Sequence, residues 1–228
     1  SCGLDVSHIL YSDKPSGIAL ITVDSLAENS IVVASGANAD ITPEDIDASA
    51  DIIRSAGMLL LQLEIPMPAV VRAAEIAHEC GVKVVLNPAP ATKLPEELLR
   101  CVSILIPNET EASAISGIDI TDLKTAGKAA NLLKSKGVRE IIITMGSRGS
   151  VVCAGETTFI PARKVNAVDT TAAGDTFCGG VCVALSEGKD IYDAVRFATA
   201  ASSIAVQRPG AQDSVPSRQE VDYIMNNN

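Results

Sequence analysis

The sequence has no tryptophan, and only three tyrosines and three phenylalanines occur among its 228 residues. Proteins that hold single strands by stacking need aromatic platforms, so that class is disfavoured. Basic charge is scarce too. Eighteen Lys and Arg face 28 Asp and Glu, a net charge of -10. A nucleic-acid or polyphosphate surface is therefore not the expected main function. ATP stays compatible, because local N–H groups and a metal ion can neutralise its phosphates. With only His8 and His78, a zinc site has few ligands to draw on. The six cysteines (Cys2, Cys80, Cys101, Cys153, Cys178, Cys182) form no Cys-x-x-Cys pair. They read as small buried hydrophobes in a reducing cytosol, so the expected location is cytoplasmic. No apolar run reaches about 18 residues, so no membrane span is expected, and no secretory signal pattern is seen. P-loop and dehydrogenase-type glycine fingerprints are absent as well.

What the chain does contain is 47% apolar residues, enough for a sizeable core. Two β-rich runs open it, Gly17–Val23 and Ser30–Ala34, joined by a polar stretch that reads as a hairpin loop. Thr42-Pro43-Glu44-Asp45 is a helix start. Strands and helices then alternate. Met58–Leu63 reads as a strand buried on both faces, and Pro68–Cys80 as a helix stopped by Gly81. Val82–Leu86 is the next strand, followed by a short helix near Pro95–Arg100 and a strand over Val102–Ile106. Helices starting at Glu109 and over Thr121–Lys136 precede a strand over Glu140–Thr144. Alternation of this kind means βαβ units and a mostly parallel sheet. Ligands of such sheets bind beyond the carboxyl ends of the strands. Glu64, Asn87, Asn108 and Gly146 all fall just past strand ends, which puts them on one rim.

Ser150–Cys153 and Thr157–Ile160 read as a short hairpin without chemistry of its own. The most informative stretch follows: Asp169-Thr170-Thr171-Ala172-Ala173-Gly174-Asp175-Thr176-Phe177. Helical apolar spacing begins after Gly174, so a helix N-terminus with unpaired N–H groups lies here. Small residues let an anion approach that backbone closely. Asp175 sits beside it. Further helices are expected over about Ile191–Val206 and from Ser217.

This nine-residue run, with Ala167-Val168 before it, resembles the C-terminal signature of the ribokinase (PfkB-type) carbohydrate kinases. Gln62-Leu63-Glu64, Asn87-Pro88-Ala89-Pro90, Pro107–Glu111, Thr144–Gly149 and Arg208–Pro216 match in the right order. Ala172-Ala173, where many members have Gly-Ala, is similar to the ribose-specific branch. The resemblance implies a three-layer α/β/α fold with a mostly parallel sheet and a small β lid. Residues 1–40 would be the remainder of the lid and its connection, and 41–228 the nucleotide-binding domain with the catalytic centre. The implied activity is ATP-dependent phosphorylation of ribose at its 5-hydroxyl.

By the same carry-over, Asp175 is the catalytic base, and the N–H groups of Ala172, Ala173 and Gly174 form an anion hole. ATP would be held by Asn108, by the loop Thr144-Met145-Gly146-Ser147-Arg148-Gly149, by Gly174 and, near the adenine, by Thr199. Glu64 and Asp175 would contact the sugar. Glu111 would tune Mg2+ through water. A K+ ion would be held by Asp169 and Ser214 with main-chain oxygens near Thr171, Ala205, Arg208 and Gly210. Dimerisation through the lid is implied for the family. The family's opening segment, with further sugar contacts, has no match before Gly17, and Ser1–Val6 reads as mid-protein sequence. Two other readings follow: a catalytically silent nucleotide-binding module, or a sibling kinase for another sugar or nucleoside.

Overall fold

The computed structural model describes residues 3–23 and 29–227. Its first element is an antiparallel pair, β1 (Ile18–Val23) and β2 (Asn29–Ala34), with Leu20 opposite Val32. The expected loop joining these two strands lies largely outside the described residues.

Two short helices follow, α1 (Pro43–Ala48) and α2 (Ala50–Ser55). Thr42 opens α1 with a reciprocal capping box to Asp45, as the Thr-Pro-Glu-Asp pattern predicts. The main sheet then builds in chain order. Strand β3 (Met58–Leu61) leads through helix α3 (Met67–Glu79) to β4 (Lys83–Leu86). Helix α4 (Glu96–Cys101) leads to β5 (Ile104–Leu105). Helices α5 (Glu109–Ser116) and α6 (Leu123–Ser135) lead to β6 (Glu140–Thr144). Strands β3 to β6 are parallel and adjacent in sequence order.

That order decides the layers. Right-handed crossovers that always step the same way put every connecting helix on one face. Alternating strand residues record it. Leu86, Leu105, Ile141 and Ile143 pack with α3 to α6, while Val85, Ile104 and Ile142 face the other way. The second face is covered by C-terminal helices α7 (Ala173–Ser186), α8 (Ile191–Ala205) and α9 (Arg218–Asn226). The result is the expected three-layer α/β/α sandwich. Helices α7 and α8 pack closely because Gly180 faces Ala198: a Cβ on Gly180 would lie 2.9 Å from the Ala198 Cα.

Three expectations change. β3 is not buried on both faces: it is the edge of the sheet, it stops at Leu61, and Leu60 is 43% exposed. The strand expected over Val102–Ile106 shrinks to two residues, although Ile106 N–H still bonds Leu86 O at 2.8 Å. The hairpin after Gly149 is longer than expected. Its strands β7 (Gly149–Ala154) and β8 (Glu156–Pro161) extend the main sheet antiparallel beyond β6. Among the described residues, no helix is long and apolar enough to cross a membrane.

Candidate active site

Because β3 to β6 run parallel, their carboxyl ends share one rim. Gln62–Glu64, Asn87, Asn108 and Gly146 follow those ends, as their spacing predicts. The start of α7 meets the same rim. Ala172 turns the chain there, with φ 58 and ψ 10. It has the one positive φ outside glycine among the described residues, a left-handed conformation that costs an ordinary residue energy. Its carbonyl accepts the first helical bond, from Thr176 N–H at 2.9 Å. Asp175 follows in the first turn, where a negative charge is favoured.

Asp175 opens on a cavity of about 350 Å³. Glu64 and Thr170–Ala172 line it from the rim, and Ile18, Ala19, Ser35 and Asn38 from the side of β1 and β2. The two expected sugar contacts, Glu64 and Asp175, thus share one cavity. Sequence reasoning missed two features. Ser35 and Asn38 bring polar groups to the opposite wall. Gln62 Nε2 donates to Asp175 Oδ1 at 3.1 Å. A signal for Gln62 exists: it directly follows the carboxyl end of β3, where ligands of such sheets bind.

Ala172, Ala173 and Gly174, the residues expected to form an anion hole, make up this turn. Gly174, in the first helical turn, has no carbonyl four residues back within the helix for its N–H. The Ala173 N–H is partly used inside the turn, donating to Thr170 O at 3.2 Å.

Asp169 braces the turn from below. Its Oδ1 accepts from Thr171 N–H at 2.8 Å, and its Oδ2 from Gly210 N–H at 2.9 Å. The Thr171 hydroxyl, followed by the Gly210 and Thr171 amides, holds this carboxyl below the usual aspartate range. Val206 O accepts from both Val168 N–H and Asp169 N–H. Ser214 is fully buried and donates to Ala211 O at 2.7 Å. Asp169 and Thr171 lie in the loop before α7, and Ala205, Arg208, Gly210 and Ser214 run from the last residue of α8 through the segment after it; hydrogen bonds tie the two together. All offer oxygen donors, a set suited to a hard cation. Arg208 also pairs with Glu220 on α9, and that partner pushes the Glu220 carboxyl down to about 2.

On the nucleotide side of the expected site, Asn108 and Glu111 close a reciprocal capping box on α5. Glu111 accepts from Asn108 N–H at 2.8 Å and from Asn108 Nδ2 at 2.9 Å. Glu111 is buried, and burial pushes its carboxyl up, with the Asn108 amide opposing. The glycine loop after β6 forms a single 3₁₀ turn over Gly146–Arg148. Met145 N–H closes it onto Gly149 O at 2.8 Å. Arg148 is tied to Glu109 and to Thr121 O, so the loop is fastened to α5 and the start of α6. Thr199 lies apart, inside α8. It is buried, and its hydroxyl donates back to Val195 O at 2.8 Å.

Two cysteines lie behind the site on α7. Burial pushes the Cys178 thiol well up, and Cys182 up to about 11, so both are neutral thiols, in line with the packing role expected of them. Cys80, at the end of α3, is exposed instead.

Comparison with known proteins agrees with this architecture. The chain is 46% identical to the ribokinase of Haemophilus influenzae over 220 residues, covering 96% of this chain and 72% of that protein. It is 43% identical to the ribokinase of Staphylococcus aureus, covering 97% and 74%. The solved structure of Arabidopsis thaliana ribokinase complexed with ribose and ATP superposes with a TM-score of 0.87 at 35% identity, over 95% of this chain and 71% of that one. The model of the pfkB family carbohydrate kinases matches residues 1–218, and on these grounds the chain belongs to that family.

Proposed function

We propose that this protein transfers the γ-phosphoryl group of ATP to the 5-hydroxyl of ribose. The observation that carries the reading is the placement of Asp175. It stands in the first turn of α7 and faces, with Glu64, a cavity of about 350 Å³, large enough for a pentose. The names and bound ligands of the relatives point the same way.

In the reaction, the sugar hydroxyl oxygen bonds to the γ-phosphorus as the bond to the β,γ-bridging oxygen breaks, and ADP leaves. Asp175 accepts the hydroxyl proton. N–H groups of Ala172 and Gly174, with Ala173 as its turn bond loosens, carry the charge on the transferring group. Asn108, the Thr144–Gly149 loop and Gly174 would line the path of the nucleotide, while Thr199, buried inside α8, keeps its hydroxyl on Val195 O. Glu64 takes a sugar hydroxyl. Mg2+ supplies charge neutralisation on the phosphates when bound. Glu111, whose oxygens are engaged by Asn108, would reach it through water. The oxygen-only set around Asp169 would hold K+. The protein would work in the cytoplasm, as a dimer joined through β1 and β2.

A coupled assay of ADP release tests the proposal, with ribose, fructose and adenosine offered in parallel. Turnover with ribose alone is expected, faster with K+ than without. ATP binding with no turnover on any acceptor would instead favour a silent nucleotide-binding module. Turnover on fructose or adenosine would favour a sibling kinase.

A further inference from the structure

We infer that Gln62 is a positioning residue for the catalytic carboxylate: its side-chain amide fixes the rotation of Asp175 so that one oxygen faces the sugar. This rests on the proposed role of Asp175 and deepens it.

The backbone around Gln62 is pinned on both sides. Leu61 O accepts from Asn87 N–H at 2.9 Å, and Leu63 N–H donates to Ala89 O at 2.9 Å. Leu61 and Leu63 are both buried, which turns the side chain between them away from the core and towards α7. The group that meets Asp175 Oδ1 must be the amide NH2, because an ionised carboxylate only accepts. The neighbouring amide, Asn87 Nδ2, donates to Ile106 O at 2.9 Å, and Gln62 is the side chain that donates to Asp175. Asp175 is itself exposed at the cavity, on a side chain with two free torsions. A donor on Oδ1, carried on a pinned backbone, restricts those torsions and leaves Oδ2 for the substrate hydroxyl. Gln62 and Glu64 thus divide the short segment that follows β3. One aligns the base, and the other lines the cavity where the sugar would lie.

The test compares Gln62→Met and Gln62→Glu with the unmodified protein. Methionine keeps length and apolar contact but cannot donate. With it, kcat should fall about tenfold, the loss of one hydrogen bond to a charged group, while KM for ribose changes less than about twofold. Glutamate sets a like charge against Asp175, and kcat should fall further. An unchanged kcat in Gln62→Met, or a loss confined to KM, overturns the inference. A second readout needs no turnover. The side-chain amide protons of Gln62 should shift in the NMR spectrum of Asp175→Ala and stay put in Glu64→Gln. Identical Gln62 amide signals in Asp175→Ala and the unmodified protein overturn the pairing. A protein inactive on ribose but showing the amide shift keeps the pairing and overturns only the proposed function.

Discussion

One carboxylate, Asp169, joins two loops through Gly210, which lies 41 residues further along the chain: Oδ2 takes the Gly210 N–H while Oδ1 takes the Thr171 N–H. The first loop becomes the turn at Ala172, and the second follows α8. The shape of the turn proposed as the anion hole therefore depends on a contact far away in sequence.

Asp169→Asn should disturb this bridge, because an amide offers one acceptor oxygen and sets an NH2 against the other N–H. We expect kcat to fall about tenfold or more through misplacement of the turn, with ATP affinity nearly kept. The pH dependence has a definite sign. A carboxyl held below its usual range contributes stability above about pH 4, lost as pH falls through the lowered value. Acid melts of Asp169→Asn should accordingly be shallower than those of the unmodified protein between about pH 4 and 2. Parallel acid melts would contradict the bridge.

Asp175→Asn should separate chemistry from binding. The amide cannot take the hydroxyl proton, so a fall in kcat of about 10²- to 10⁴-fold is expected. ATP binding, followed by calorimetry, should change little, because the Asp175 side chain itself is not among the proposed nucleotide contacts. Full activity in this variant would remove the aspartate from the mechanism.

Much of the fold was legible because its signals are local. Alternating apolar runs and helix starts gave the βαβ order. The boxes at Thr42, Asn108, Asp122 and Ser217 use the residue types that favour helix N-termini. What escaped depends on long-range pairing. The position of β3 at an edge, the exposure of Leu60 and the docking of β7 on β6 are set by neighbours distant in sequence. The same holds for the site. The helix start at Asp175 could be read from nine consecutive residues, whereas its partner Gln62 lies 113 positions away. Arg148 was expected on a nucleotide loop, and sequence gave no warning that Glu109 and Thr121 hold it.

Glu111 predicts a pH effect of the opposite sign to Asp169. Burial raises its carboxyl. Such a group stabilises the fold fully below its unfolded value, near pH 4.3, and loses that contribution as pH rises through the raised value. Glu111→Gln also replaces one acceptor with a donor facing Asn108, an unmet bond costing about 1–3 kcal/mol. Urea melts should find this variant less stable than the unmodified protein, by more at pH 4.5 than at pH 7.5. A gap that widens towards neutral pH would mean the carboxyl is not raised.

Gly149 and Gly155 allow strain and steric clash to be separated on a single hairpin. Both are left-handed, at φ 123 and φ 112. At Gly155 a Cβ would meet nothing within 4 Å, so Gly155→Ala carries backbone strain alone, about 1–3 kcal/mol. At Gly149 the same atom would lie 2.2 Å from Ile160 O and 2.7 Å from Ala162 N. Those are backbone atoms of β8 and the chain just after it, which cannot swing aside as a side chain would. Gly149→Ala should therefore add a packing cost of about 1–3 kcal/mol to a similar strain. For a chain of this size each kcal/mol lowers Tm by about 2–4 °C, so the two variants should differ by several degrees. Function should divide them as well. Gly149 closes the loop on Met145, and moving it displaces the proposed ATP contacts, so KM for ATP should rise in Gly149→Ala and stay unchanged in Gly155→Ala. Equal Tm losses with equal KM values would show that β8 yields at Gly149, and that the loop does not depend on its closing glycine.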